Sequence, residues 1–197
     1  MSFGEFPLEP FSFARSLFTK VRERAEELQN TDLYRGGQTA WEQTAWTASL
    51  KLVLKEVGDG IIGCESLYRL TGHDSSEFLL DFVFWHRSEK GEQALLACES
   101  EFGNPRDRSR DVQAIGADFD KLLSFKAPIK LMIFDTISSQ ERESDIITLL
   151  TAHMRKYALH TKGELYLFVD FGPKSKIWYV QIPDSGFHPD LDLLSLG

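Results

Sequence analysis

The chain has 197 residues, with 22 Lys and Arg against 30 Asp and Glu, and a formal net charge of -8. Hydrophobic residues make up 42% and charged residues 26%, a globular balance that at this length buries roughly 70% of the unfolded surface without disulfides or structural metal. The acidic total excludes a protein that coats nucleic acid through bulk positive charge. The longest apolar runs, Leu79–Trp85 and Leu165–Phe171, fall short of the roughly 20 residues of a membrane helix.

In chain order, Phe13–Gln29 reads as a helix, with Ala14, Leu17, Phe18, Val21, Ala25 and Leu28 on one face and the charged residues on the other. Gly36-Gly37 breaks the chain. Thr39-Ala-Trp-Glu42 is a capping-box pattern that opens a second helix through Glu56, stopped by Gly58 and Gly60. Ile61–Leu70, Glu77–Arg87 and Gln93–Phe102 read as strands, the last two joined by the turn-forming Ser88–Gly91. Gly103–Asp111 is a polar loop with three arginines. Ala117–Phe125 reads as a helix ended by Pro128. Ile129–Asp135 is a strand, Glu143–His160 a third long helix, and Glu164–Phe171 and Lys176–Ile182 two further strands. Pro183–Gly197 reads as a loosely attached tail.

This order predicts an α/β (α+β) fold, a mixed sheet of about five to six strands flanked by helices. A single domain is expected over 1–197, with N-terminal helices at about 13–57, a core at about 40–182 and the tail at 183–197. Cys64 and Cys98 carry no CxxC or ligand spacing and are expected as two buried thiols in a reducing compartment. With no basic, apolar leader at the N-terminus, the expected location is cytoplasmic.

Three carboxylates carry the functional signal. Asp81 lies within Leu79-Leu-Asp-Phe-Val-Phe-Trp85, where an uncompensated carboxylate in an apolar strand costs several kcal/mol or shifts its pKa. Glu99 and Glu101 follow Ala94-Leu-Leu-Ala-Cys98, and the two-residue period of a strand puts them on one face. If the two strands pair as a hairpin, Asp81 lies beside them. Three acids at one spot need a positive centre, and a hard divalent cation, Mg²⁺ or Mn²⁺, is the usual one.

Asp81, then Glu99-Ser-Glu101 at the end of an apolar strand followed by a helix, resembles the PD-(D/E)xK restriction-endonuclease-like superfamily. The resemblance spans about half the chain, and Glu42 to Asp135 supplies the core elements in the family's order. It implies Asp81 as the first acid, Glu99 as the second, and Glu101 at the position usually held by lysine, an ExE variant. Leu80 stands where the family has proline. Lys121, on the following helix, is the candidate replacement for the strand lysine, and Glu42 or Glu56 could add a further acid. The implied activity is cation-dependent phosphodiester hydrolysis on DNA, with Asp81, Glu99, Glu101 and Lys121 as catalytic residues and the three acids as ligands. Arg106, Arg108 and Arg110 are expected to contact phosphate, within a stretch, residues 102–134, that carries six Lys and Arg against four Asp.

The alternative is an inactive module of the same fold that binds nucleic acid or a protein partner. A further reading, a partner surface built on Trp41, Trp46, Trp85 and Trp178, competes with placing those residues in the core. A homodimer is compatible with each reading. Hydrolase triads, zincins and Walker-type phosphate-binding loops lack their motifs, GxSxG, HExxH and GxxxxGK[ST].

Overall fold

The computed structural model describes residues 50–60, 64–68, 80–89, 91–101, 108–134, 140–170, 176–186 and 194–196, together with positions 16, 19, 20 and 23. Those four positions are helical and belong to the first expected helix; the rest of it, with Trp41, Trp46, Glu42 and Arg106, lies outside the described residues. Contacts divide the chain into two compact units, residues 1–78 with 82–93, and residues 79–81 with 94–197.

In the first unit, helix α1 occupies residues 50–59 and buries Leu50, Val53, Leu54 and Val57, the three-and-four spacing of an amphipathic helix. It runs through Gly58 and ends directly after it, where the Gly60 amide donates to the Val57 carbonyl at 3.2 Å. Strands β1 (Cys64–Tyr68) and β2 (Phe82–Ser88) pair antiparallel, with Ser66 opposite Phe84 and Tyr68 opposite Phe82. The Tyr68 and Phe82 rings stack with centroids 5.5 Å apart. Gly91, at φ +129°, closes the turn after β2 in a conformation that disfavours L side chains. The Trp85 indole is half-buried and donates to Glu92 at 3.2 Å. Only one of the two cysteines is fully buried: Cys98 is, whereas Cys64 is half-buried, its thiol pushed up to about 11 by desolvation and by the charges of Asp59 and Glu65.

A glycine at position 58 is dictated by packing. A Cβ there would collide with Ser66 Oγ and lie 2.7 Å from the Phe84 ring. Gly58→Ala therefore loses stability by roughly 1–3 kcal/mol, against the gain of about 1 kcal/mol that alanine brings to a helix. Urea denaturation measures the balance, and a neutral or stabilised variant would show that the contact relaxes freely.

The second unit holds β3 (Gly91–Glu101) from Ala94 onward, α2 (Arg108–Ser124), β4 (Ile129–Phe134), α3 (Gln140–Lys156), β5 (Leu165–Asp170), β6 (Lys176–Gln181) and β7 (Leu194–Leu196). β3, β4 and β5 run parallel in sequence order, and β6 and β7 add antiparallel strands. The result is the expected mixed sheet with helices. β4 and β5 are buried at every position, as central strands of a parallel segment are. The connections through α2 and α3 supply the crossovers that parallel neighbours require, and the two helices pack on each other.

Register assigns the side chains to faces. Glu99, Met132, Phe168 and Trp178 form one cross-strand row, and Glu101, Phe134, Asp170 and Lys176 the next. Both rows lie on the face that α2 covers, for Phe119 of α2 packs edge-on against Tyr166 and Phe168. Trp178 is buried and stacks on Phe134, centroids 6.2 Å apart.

Several expected boundaries move. β2 begins at Phe82, so Asp81 precedes the strand instead of lying inside it. α2 begins at Arg108, not Ala117, so Arg108 and Arg110 belong to its first turn and not to a loop. α3 ends at Lys156, four residues early, because the Met154 carbonyl near its end is met by the His160 ring at 2.9 Å. Three residues of the tail, Leu194–Leu196, are a strand paired with β6.

Candidate active site at the end of the third strand

Glu99 is the centre of this site. It lies on the helix-covered face of β3 and is 3% exposed. Its Oε1 finds no hydrogen-bond partner among the described residues; Lys121 Nζ stands 3.4 Å away as an ion pair. Desolvation pushes the Glu99 carboxyl up to about 8, with Asp81 and Asp118 adding to the rise and Lys121 offsetting part of it.

Lys121 reaches this point from α2. Its ammonium sits 2.6 Å from Asp118 Oδ1, one helical turn earlier, and so bridges Asp118 and Glu99. Burial works against the charge, but the two carboxylates overcome it and hold the Lys121 pKa above the usual lysine range. Lys121 is therefore an ammonium at any neutral pH.

Asp81 is placed by a long-range contact. Its Oδ2 accepts from the Ser100 amide at 2.9 Å and from the Ser100 hydroxyl at 2.8 Å. These two bonds hold it in the bend before β2. Glu101 is half-buried, one pleat further along the face of Glu99, in register with Phe134. Glu56 is exposed on α1, in the first unit.

The structure thus gathers Asp81, Glu99 and Lys121, and adds Asp118, which the sequence reading passed over. Its signal was present: Asp118 stands three residues before Lys121, a spacing that places both on one helix face. Among the described residues no group of three or more His, Cys, Asp and Glu side chains is arranged to hold a metal ion. Asp81 and Glu99 offer a two-carboxylate set of oxygen donors. In donor chemistry, and in the orphaned buried oxygen of Glu99, that pair fits a hard divalent cation completed by water. No helix among the described residues is long and apolar enough to cross a membrane. Compared with protein-family models, curated proteins and solved structures, the chain matches none.

Proposed function

We propose that the chain is a cation-dependent phosphodiesterase acting on DNA, with Asp81 and Glu99 holding Mg²⁺ or Mn²⁺ and Lys121 serving the reaction beside them. The observation that carries this reading is Glu99, a carboxyl group 3% exposed whose Oε1, ion-paired with Lys121 at 3.4 Å, has no hydrogen-bond partner among the described residues. Such burial disfavours the charged form, so the carboxyl holds its proton until a further positive centre compensates the charge. The order helix, strand, strand, strand, helix, strand from α1 to β4 supports the resemblance to PD-(D/E)xK nucleases, and Lys121 supplies from α2 the amine that Glu101 replaces on β3.

A bound divalent cation would polarise a phosphoryl oxygen and acidify a water. The side chains divide the remaining work. Lys121, held as an ammonium, is no proton acceptor; it orients the attacking water and offsets the charge that builds on the phosphoryl oxygens. Glu101 stands one pleat beyond Glu99 and is the candidate base. Arg108 and Arg110, in the first turn of α2, and Arg106 are the proposed phosphate contacts. The two free cysteines accord with a reducing, cytoplasmic setting.

Asp81→Ala and Glu99→Ala are each expected to reduce Mg²⁺-dependent cleavage of duplex DNA by at least about a hundredfold, the scale on which a positioned electrostatic group acts, while leaving the circular dichroism spectrum intact. Cleavage at the wild-type rate by both variants would overturn the assignment. One observation favours the inactive-module reading: Asp81 Oδ2 is already occupied by two donors from Ser100. In that case the wild-type chain itself is inert towards DNA with either metal.

A further inference from the structure

At the opposite end of β4 and β5, four buried side chains form a cluster that the phosphodiesterase reading does not use. Lys130 Nζ lies 3.1 Å from the Leu123 carbonyl, 3.1 Å from the Tyr166 hydroxyl and 3.3 Å from Glu164 Oε1. The Tyr166 oxygen is also 2.8 Å from Glu164 Oε2 and 2.9 Å from His160 Nδ1, and His160 Nε2 is 2.9 Å from the Met154 carbonyl. The Lys130 and His160 side chains are each 1% exposed and that of Glu164 6%, so water cannot substitute for a missing partner.

Each of these six contacts joins two electronegative atoms, and each needs one hydrogen between them. The ordinary neutral-pH forms supply five: three from the lysine ammonium, one from the tyrosine and one from a neutral imidazole, the glutamate offering none. The Met154 carbonyl fixes that imidazole hydrogen on Nε2. Nδ1 and a carboxylate oxygen are then left to compete for the single Tyr166 proton. A sixth proton, on His160 Nδ1 or on the Glu164 carboxyl, resolves the conflict. Without it, two lone pairs face each other at under 3 Å in a dry site, a costly arrangement.

We propose that this cluster is a proton-operated latch: with six protons it fastens the segment 157–163 to the ends of α3 and β5, and on losing the sixth it lets that segment open. The elements around it are accounted for. Lys130 comes from β4, Tyr166 from β5 and Glu164 from just before it. The Leu123 and Met154 carbonyls come from α2 and α3, and Tyr157 packs edge-on to His160 with centroids 5.2 Å apart. Burial pushes the His160 imidazole below its usual range, with Lys130 adding to the fall while Met154 and Glu164 oppose it. The sixth proton is therefore held loosely, and the latch opens as pH rises. The latch does not depend on the Asp81–Glu99 site or on phosphodiester cleavage.

The test is hydrogen exchange of the Tyr157 and Gly163 amides, which are bonded to the His153 and Ile182 carbonyls, in the full chain from pH 5 to 9, corrected for intrinsic base catalysis, alongside nitrogen-15 spectra of the His160 ring and carbon-13 spectra of the Glu164 carboxyl. In the wild type, protection is expected to fall roughly tenfold or more, the worth of one hydrogen bond to a charged group. The fall should share its midpoint with the titration of His160. Glu164→Gln brings its own amide hydrogen as the sixth, and is expected to stay protected across the whole range. Tyr166→Phe removes three of the contacts and hence the shortfall, and should likewise lose the step. A wild type whose corrected protection does not change with pH, or a step that survives in Glu164→Gln, would overturn the latch.

Discussion

Replacing Glu99 with glutamine is expected to stabilise the cation-free protein, by up to about 3 kcal/mol at pH 7 and by little at pH 4. The sign follows from the carboxyl's proton. In the folded chain burial holds the Glu99 pKa near 8, against 4.5 in its ordinary state. Between those values the folded form keeps a proton that the unfolded form has released, so stability falls as pH rises, by at most about 1.4 kcal/mol per pH unit, and levels off above the folded pKa. A glutamine at this position has no such proton to lose, so the variant's stability does not decline in this window. Lys121 keeps Asp118 at 2.6 Å in either case. Urea unfolding at pH 5 and pH 7 in the presence of a chelator measures both curves. A variant less stable than wild type at pH 7 would mean that the Lys121 ion pair outweighs desolvation. Stability raised by removing the group proposed to carry activity is what a functional carboxylate in a buried site predicts.

The second large effect lies in the Lys130 cluster. Lys130→Met is expected to cost roughly 3–5 kcal/mol, the usual penalty when one member of a buried ion pair is removed and the other stays charged. The ammonium serves the Leu123 carbonyl, Tyr166 and Glu164 together. Methionine fills most of the volume but leaves the helix-end carbonyl and the carboxylate without their donor. Adding Glu164→Gln removes the uncompensated charge and should recover part of the loss, so the two substitutions are strongly non-additive. Thermal unfolding of the two single variants and the double variant checks this. Additive losses would show that Lys130 and Glu164 do not act as a pair.

How much of this was legible in the sequence depends on whether a signal is local. The two-residue period of β3 put Glu99 and Glu101 on one face, and the mixed sheet followed from the order of apolar runs. Lys121 could be singled out because it sits on the helix directly after the acidic strand. Asp81 was misplaced because Leu79–Trp85 reads as one continuous strand. What ends that strand is a pair of hydrogen bonds to Ser100, 19 residues away, which no local pattern encodes. The start of α2 was missed because Arg108-Ser-Arg-Asp111 is polar throughout and shows no apolar spacing. The latch was invisible for a related reason. Lys130 and Tyr166 are each one polar side chain in an apolar strand, and two of their cluster's contacts are to backbone carbonyls at helix ends. Only the parallel register of β4 and β5, Lys130 beside Tyr166, brings them together.

The most direct measurement is a calorimetric titration of the wild-type chain and Glu99→Gln with Mn²⁺ at pH 7, in two buffers of different ionisation heat. The Asp81–Glu99 assignment expects one saturable site in the wild type. Its binding releases a proton, because Glu99 carries one until the cation displaces it, and Glu99→Gln shows no site while remaining folded. A wild type that takes up no cation, or a Glu99→Gln variant that binds as well as wild type, would contradict it.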